Sequence, residues 1–496
     1  MHLPRSSGIL LHPTALPGPH GIGALGTEAR AFVDLLAAAG QSVWQVLPLG
    51  PTGYGASPYN ALSAFAGNPL LIDLPTLVAW GDLDPADLED RFSAAGPVDF
   101  PAVQLFKYPR LQQAAANFSA RADASRRADF ARFCAEQAGW LADYALFVAL
   151  RSHFHGQSWQ HWPMALRHRE PRALAEWQQR LAAAIGEEQY RQYAFHTQWQ
   201  ALKQYANVRG VRLFGDLPIF VALESADVWT HQALFRLDAE GHPTVVAGVP
   251  PDYFSATGQR WGNPLYRWET HQADGFAWWR ERLRTELQRA DLVRIDHFRG
   301  FQACWAIPAS EPTAVHGCWE DAPGRELLAA LRASAPTLPI IAEDLGVITA
   351  EVEALRRDHG LPGMKILQFA FDSGPANPYL PHNFTLDCVV YTGTHDNPTT
   401  LGWWATLPAA RQRLIGNYLG KSRPKIPGDL IRLAMASVAR LCIIPCQDLL
   451  GLGDEARFNQ PGQAAGNWRW RCPPGLLTAD LAEHWRDLTR IYNRLP

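Results

Sequence analysis

The sequence predicts an α/β protein, a (β/α)8 TIM barrel carrying helical and loop-rich insertions. Three observations lead there. Eight short apolar runs recur along the 496 residues, each ending in polar or glycine residues. Segments with helical spacing lie between many of them. The spacing between the runs is uneven, which reads as insertions in the barrel. A doubly wound open sheet is the alternative arrangement of the same elements.

The runs are GILLHPTALP (8–17), SVWQVLPLGP (42–51), VRLFGDLPIFV (211–221), DLVRIDHFRGF (291–301), PIIAEDLG (339–346), GMKILQFAFD (363–372), CVVYTGTHDN (388–397) and LCIIPCQDLLG (441–451). After the first, TEARAFVDLLAAAG (27–40) has apolar residues three and four apart, Thr27 as N-cap and Gly40 as stop. DGFAWWRERLRTELQRA (274–290) and ITAEVEALRRDHG (348–360) have the same spacing. About 160 residues separate the second and third runs. Within one catalytic barrel spanning 1–496, residues 68–205 read as a mostly helical insertion. Residues 222–273 read as a loop-rich aromatic insertion lining a groove, and 303–335 as a small third one.

Composition excludes several classes of function. With 47% hydrophobic and 19% charged residues and a net charge of −3, the chain has no polyanion footprint, so nucleic acid is not an expected partner. No run approaches the roughly 20 apolar residues of a membrane helix, and the N-terminus lacks a signal-peptide pattern. Seven cysteines are scattered without a CxxC, which reads as reduced thiols in a cytoplasmic protein. GIGALG (21–26) lacks the preceding strand and following acid of a dinucleotide fingerprint, and GNYLGKS (416–422) is one residue short of a phosphate loop. HFH (153–155) has no carboxylate or cysteine companion. No cofactor and no metal are expected. The unusual count is 19 Trp, several set in Gly- and Pro-containing loops such as YFSATGQRWGNPLY (253–266). Rings beside polar groups suit sugars, whose C–H faces stack on aromatic planes.

The acids carry the chemistry. Side chains alternate along a strand, so in LVRID Val293 and Ile295 face the helices while Arg294 and Asp296 face the barrel axis near its C-terminal end. Arginine beside aspartate is expected to lower the acid's pKa and hold it ionised, as a nucleophile requires. The other reading is an ion pair that only holds the barrel together. Glu343 and Asp344 end another run, His395 and Asp396 a third, and Asp216 lies in FGDLP. Acids converging on one mouth repel and are expensive to bury unless function demands them. Paired carboxylates with aromatic loops point to glycosidic bond chemistry.

RIDHFRGF, AEDLG and THDN resemble the catalytic motifs of the α-amylase clan. HPTALPGPHGIGALG, GYGASPY, GDLPIFV, VAGVPPDYFSATGQRWGNPLY, GMKILQFAF and DLLGLGDEARFNQPG…NWRWR resemble the amylomaltases, the bacterial 4-α-glucanotransferases of glycoside hydrolase family 77, over nearly the whole chain. The resemblance implies a retaining double displacement, with Asp296 as nucleophile, Glu343 as acid/base and Asp396 as transition-state stabiliser. It implies Arg294 and His395 as orienting companions and Asp216 in the same pocket. Tyr59, Asp252, Trp261 and Asn467 would line the substrate groove, and Tyr54 a second glucan-binding site. The motif alone selects Glu343 over Asp344. The implied partners are maltooligosaccharides, amylose or glycogen-derived glucans, with glucose as acceptor and cycloamylose among the products. Loops 250–265 and 451–467 are expected to exclude water and favour transfer. An α-1,4-glucan hydrolase of the same clan would share the three acids, and a glucan-binding protein without catalysis would lack Asp296 or Glu343. The sequence departs from the family at Ala56, where an acid is common, and at Pro398, where a polar residue is usual.

Overall fold

The computed structural model describes all residues except 1–2, 90–91, 94, 252–254 and 464, and Tyr54 by its backbone alone. Seven of the eight apolar runs contain a strand, and the first overlaps one that begins two residues earlier: β1 (Ser6–Leu10), β2 (Val43–Gln45), β3 (Arg212–Pro218), β4 (Leu292–Asp296), β5 (Ile340–Ala342), β6 (Gly363–Ile366), β7 (Cys388–Tyr391) and β8 (Leu441–Pro445). They pair in parallel in the order β6-β7-β8-β1-β2-β3-β4-β5. The amide of Ala342 in β5 donates to the carbonyl of Pro362, just before β6, at 2.9 Å. That bond closes the sheet on itself and decides for the barrel over the open sheet.

The strands form where they do because both faces are covered. All five residues of β1 and of β8 are buried, and such strands read as nearly unbroken apolar runs. The expected helices lie at Thr27–Ala38, Ala277–Arg289 and Ala350–Asp358. The first is capped by Gly26 rather than Thr27. The Asp73 carboxylate packs against Gly26 so closely that a Cβ would fall 2.2 Å from its Oδ1, which excludes a side chain at the cap.

Between β2 and β3 the chain is mostly helical, the long helices being Phe100–Arg121, Ala124–Glu136, Leu141–His153 and Ala182–Val208. The two later excursions are less loop-like than their sequences suggest. Val245–Val249 and Gln259–Pro264 from one join Ala303–Pro308 and Cys318–Asp321 from the other in a four-stranded antiparallel sheet. Its central contact is between Val245–Val249 and Ala303–Pro308, segments more than fifty residues apart, so no local hairpin signal announces it. Val246, Ile307 and Ala314 form its small core. Among the described residues no helix is long and apolar enough to cross a membrane.

Candidate active site

The register of β3 and β4 sets Asp216 opposite Arg294 and Pro218 opposite Asp296. Arg294 is 3% exposed and serves two carboxylates and a phenol. Its Nε donates to Asp216 Oδ1 at 3.0 Å, and its Nη2 lies 2.9 Å from Asp216 Oδ2, 2.7 Å from Asp296 Oδ1 and 3.1 Å from the Tyr59 hydroxyl. Tyr59 donates in turn to Asp216 Oδ2 at 2.6 Å. A buried guanidinium is tolerable only when its donors are matched in this way. The Tyr59 ring stacks on His395, centroids 5.2 Å apart and planes 9° from parallel, and Trp468 leans on both.

Glu343 is the first residue past β5. Its amide still donates to the Ile295 carbonyl at 3.0 Å, and its carbonyl accepts from Phe298 at 3.1 Å, so it stays clamped to β4. His297, directly after Asp296, has a φ of 53°, a left-handed backbone that costs a non-glycine residue on the order of 1 kcal/mol or more. That turn aims the His297 amide at Glu343 Oε2, 2.6 Å away, while the Leu345 amide holds Oε1 at 2.9 Å. The neighbouring Asp344 points the other way, as successive residues of an extended chain do. It accepts from the Met364 amide at 2.7 Å and pairs with Arg356 at 3.0 Å, tying the end of β5 to β6 and to the helix that follows β5. Geometry therefore gives a physical reason to separate the two acids, where the sequence offered only a motif.

Asp396 sits in the turn after β7. Its Oδ1 accepts from Asn459 Nδ2 at 2.6 Å and lies 3.3 Å from His395 Nε2. Its carbonyl accepts from Arg457 at 2.9 Å. Neither Asn459 nor Trp468 was anticipated. They lie 63 and more residues beyond Asp396, inside the motif DLLGLGDEARFNQPG…NWRWR that carries the family resemblance, but nothing in that motif says that they meet Asp396 and His395.

The electrostatics overturn one expectation. Burial pushes the Asp296 carboxyl well above its ordinary value; Asp216, Glu343 and Asp396 add to the rise, and Arg294 opposes it without cancelling it. Arg294 is already shared with Asp216, so its charge is not available to Asp296 alone. Burial also raises Glu343, to about 7, against the pull of Arg294 and of the two amides it accepts. Burial lowers His395, keeping its imidazole neutral near pH 7 despite Asp396 beside it.

Asp296, Glu343, Asp396, Arg294, Tyr59, Trp261 and Asn467 all line one cleft with a volume of about 1130 Å³, more than one compact ligand fills. Trp261, on Gln259–Pro264, is 39% exposed and stands edge-on to His297, centroids 4.8 Å apart. Asn467 reaches the cleft, but its amide is engaged with its own loop: Oδ1 accepts from Gln460 and Nδ2 donates to the carbonyls of Gln460 and Gln463. Asp216 and His395 stand behind the wall, buried beneath Arg294, Tyr59 and Asp396. Asp252 and the Tyr54 side chain lie outside the described residues.

Residues 11–478 match the family model described as 4-alpha-glucanotransferase, in glycoside hydrolase family 77. The chain belongs to the 4-α-glucanotransferase family. A 4-alpha-glucanotransferase from Thermus thermophilus is 52% identical, with both chains covered over 100% of their length. One from a Synechocystis strain is 51% identical, covering 99% of this chain and 98% of its own. Among solved structures, an amylomaltase from Streptococcus agalactiae in complex with acarbose superposes with a TM-score of 0.96 at 39% identity, covering 99% of this chain and 100% of that one. The barrel and its insertions are thus those of a 4-α-glucanotransferase throughout.

Proposed function

We propose that this chain disproportionates α-1,4-glucans by a retaining double displacement. Asp296 attacks the anomeric carbon. The bond to the leaving O4 breaks, and Glu343 gives O4 its proton. The 4-OH of an acceptor then attacks the glycosyl–Asp296 ester. Glu343 takes the acceptor's proton, and Asp296 leaves as carboxylate. One glycosidic bond breaks and one forms, so little driving force is needed.

The observation that carries this reading is the pairing of two unlike acids in one cleft. Both carboxyls are raised by burial, so the site holds a proton near neutral pH. The ion pair with Arg294 at 2.7 Å favours the charge on Asp296. Glu343 has no ion pair of its own; its two amides and the more distant Arg294 favour its charge less than the direct pair favours that of Asp296, so the proton belongs on Glu343. A donor acid near 7 is suited to work as acid and then as base. Asp396, fixed by Asn459 and His395, is placed to hold ring hydroxyls and offset the positive charge of the transition state. Asp216, Tyr59 and His395 act through Arg294 and Asp396 as positioning residues. Trp261 and, on the loop that Asn467 braces, residues 459–463 line the groove and favour a sugar over water as acceptor. Substrates are maltooligosaccharides and longer α-1,4-glucans, with glucose or another chain as acceptor.

Incubation with pure maltotriose tests this. Glucose with maltopentaose and longer chains, at constant reducing ends, is the expected result. Rising reducing ends with only glucose and maltose would make the chain a hydrolase of the same clan.

A further inference from the structure

Trp319 has no part in the reading above. It lies on Cys318–Asp321, an outermost strand of the antiparallel sheet. It is 38% exposed, and it lines the same cleft as Asp296 and Glu343. Yet the ring is not loose. The Arg299 guanidinium carbon lies 3.6 Å from its centroid, and Trp305, its partner across the strand pair, sits 5.2 Å away at 66°. Arg299 is itself buried, and its Nη1 donates to the carbonyl of Val347 at 2.6 Å, four residues past Glu343. A cation against the ring and a neighbour at its side fix the indole before anything binds. A preset aromatic surface loses little freedom on meeting a ligand.

Its side of the cleft indicates what it meets. Asp296 pairs with Arg294, which also holds Tyr59 and Asp216; Tyr59 stacks on His395, and His395 lies beside Asp396. The ring that carries the reacting carbon belongs among these groups. Glu343 protonates the oxygen that departs, so the departing ring, and later the arriving one, lies on Glu343's side. Trp319 is tied to that side through Arg299 and Val347. We propose that Trp319 is an acceptor platform beyond the first acceptor ring, on which the apolar face of a further glucosyl residue packs, setting a preference for oligosaccharide acceptors over glucose. The inference rests on the transferase reading.

The test uses α-maltotriosyl fluoride as donor, because fluoride departs without leaving a sugar on the acceptor side. At saturating fluoride donor, so that maltotriose does not compete as donor, glucose and maltotriose are varied as acceptors, and KM is read for each from the transfer product that carries the donor's isotope-labelled maltotriosyl unit. Wild type should show a lower KM for maltotriose. In Trp319→Ala that KM should rise about tenfold, the size expected from uncovering roughly 50 Å² of apolar ring, with less than about a twofold change for glucose. Trp319→Phe should keep most of the advantage. A parallel rise for both acceptors would mean that the ring only props the Glu343 loop, and would overturn the proposal. So would unchanged KM values, or a wild type with no preference. A wild type that releases fluoride but forms no transfer product would instead sink the transferase reading, and that is read without any variant.

Discussion

Replacing Glu343 by Gln separates two consequences of one buried carboxyl. Its pKa of about 7 lies well above the ordinary 4.5. That interval corresponds to roughly 3 kcal/mol; because the carboxyl opens onto the cleft, screening reduces it to about 2 kcal/mol. The sign follows from proton counts. Below the ordinary value both folded and unfolded chains hold the proton. Between there and about pH 7 the unfolded chain has released it while the folded chain retains it, so stability falls as pH rises and then levels. Gln cannot ionise; it keeps the acid's shape, but its NH2 must face one of the two amides that Glu343 accepts from, a cost that does not change with pH. Relative to wild type, Glu343→Gln should therefore gain about 2 kcal/mol between pH 4 and pH 8, about 2 °C in Tm for a chain of this length. Paired thermal scans at the two pH values measure this. Turnover of maltotriose should fall by about 10²- to 10⁴-fold, because the proton donor is gone, while α-maltotriosyl fluoride, which needs no acid, should still load the enzyme. A Tm difference independent of pH, or retained turnover of maltotriose, would refute the reasoning.

Asp296→Asn should form no covalent glycosyl-enzyme detectable by mass spectrometry from the same fluoride, with turnover down by about 10⁴-fold or more. Tyr59→Phe removes the hydroxyl between Asp216 and Arg294; steady-state kinetics should show kcat about 10- to 100-fold lower with KM little changed, and denaturant titration a loss of about 1–2 kcal/mol. Trp261→Ala should lower the ratio of transfer to hydrolysis, read as reducing ends released per transfer product, and an unchanged ratio would clear that loop of the role. Asp344→Ala leaves Arg356 without its carboxylate and the Met364 amide without its acceptor; it should destabilise the fold by about 3 kcal/mol while kcat per folded molecule stays near wild type.

Much of this protein was decided locally and could be read from its sequence. Strands buried on both faces must be apolar along their length, so all eight barrel strands were visible as runs. The alternation of LVRID already turned Arg294 and Asp296 toward the axis, and long motifs named the family. What remained depended on contacts between segments far apart in the chain. Arg294 is shared with Asp216 because the β3–β4 register sets them opposite each other, and that sharing, with burial, is why Asp296 is raised rather than lowered. The antiparallel sheet joins two insertions on either side of β4. Asn459 grips Asp396, and Trp468 leans on His395, across more than sixty residues. Asp216 and His395 proved to be backing rather than wall. Local sequence fixes which face a side chain takes, because that follows from backbone period. Which partner it meets there, and how much water it loses, depends on where distant segments come to rest, and only the folded chain decides that.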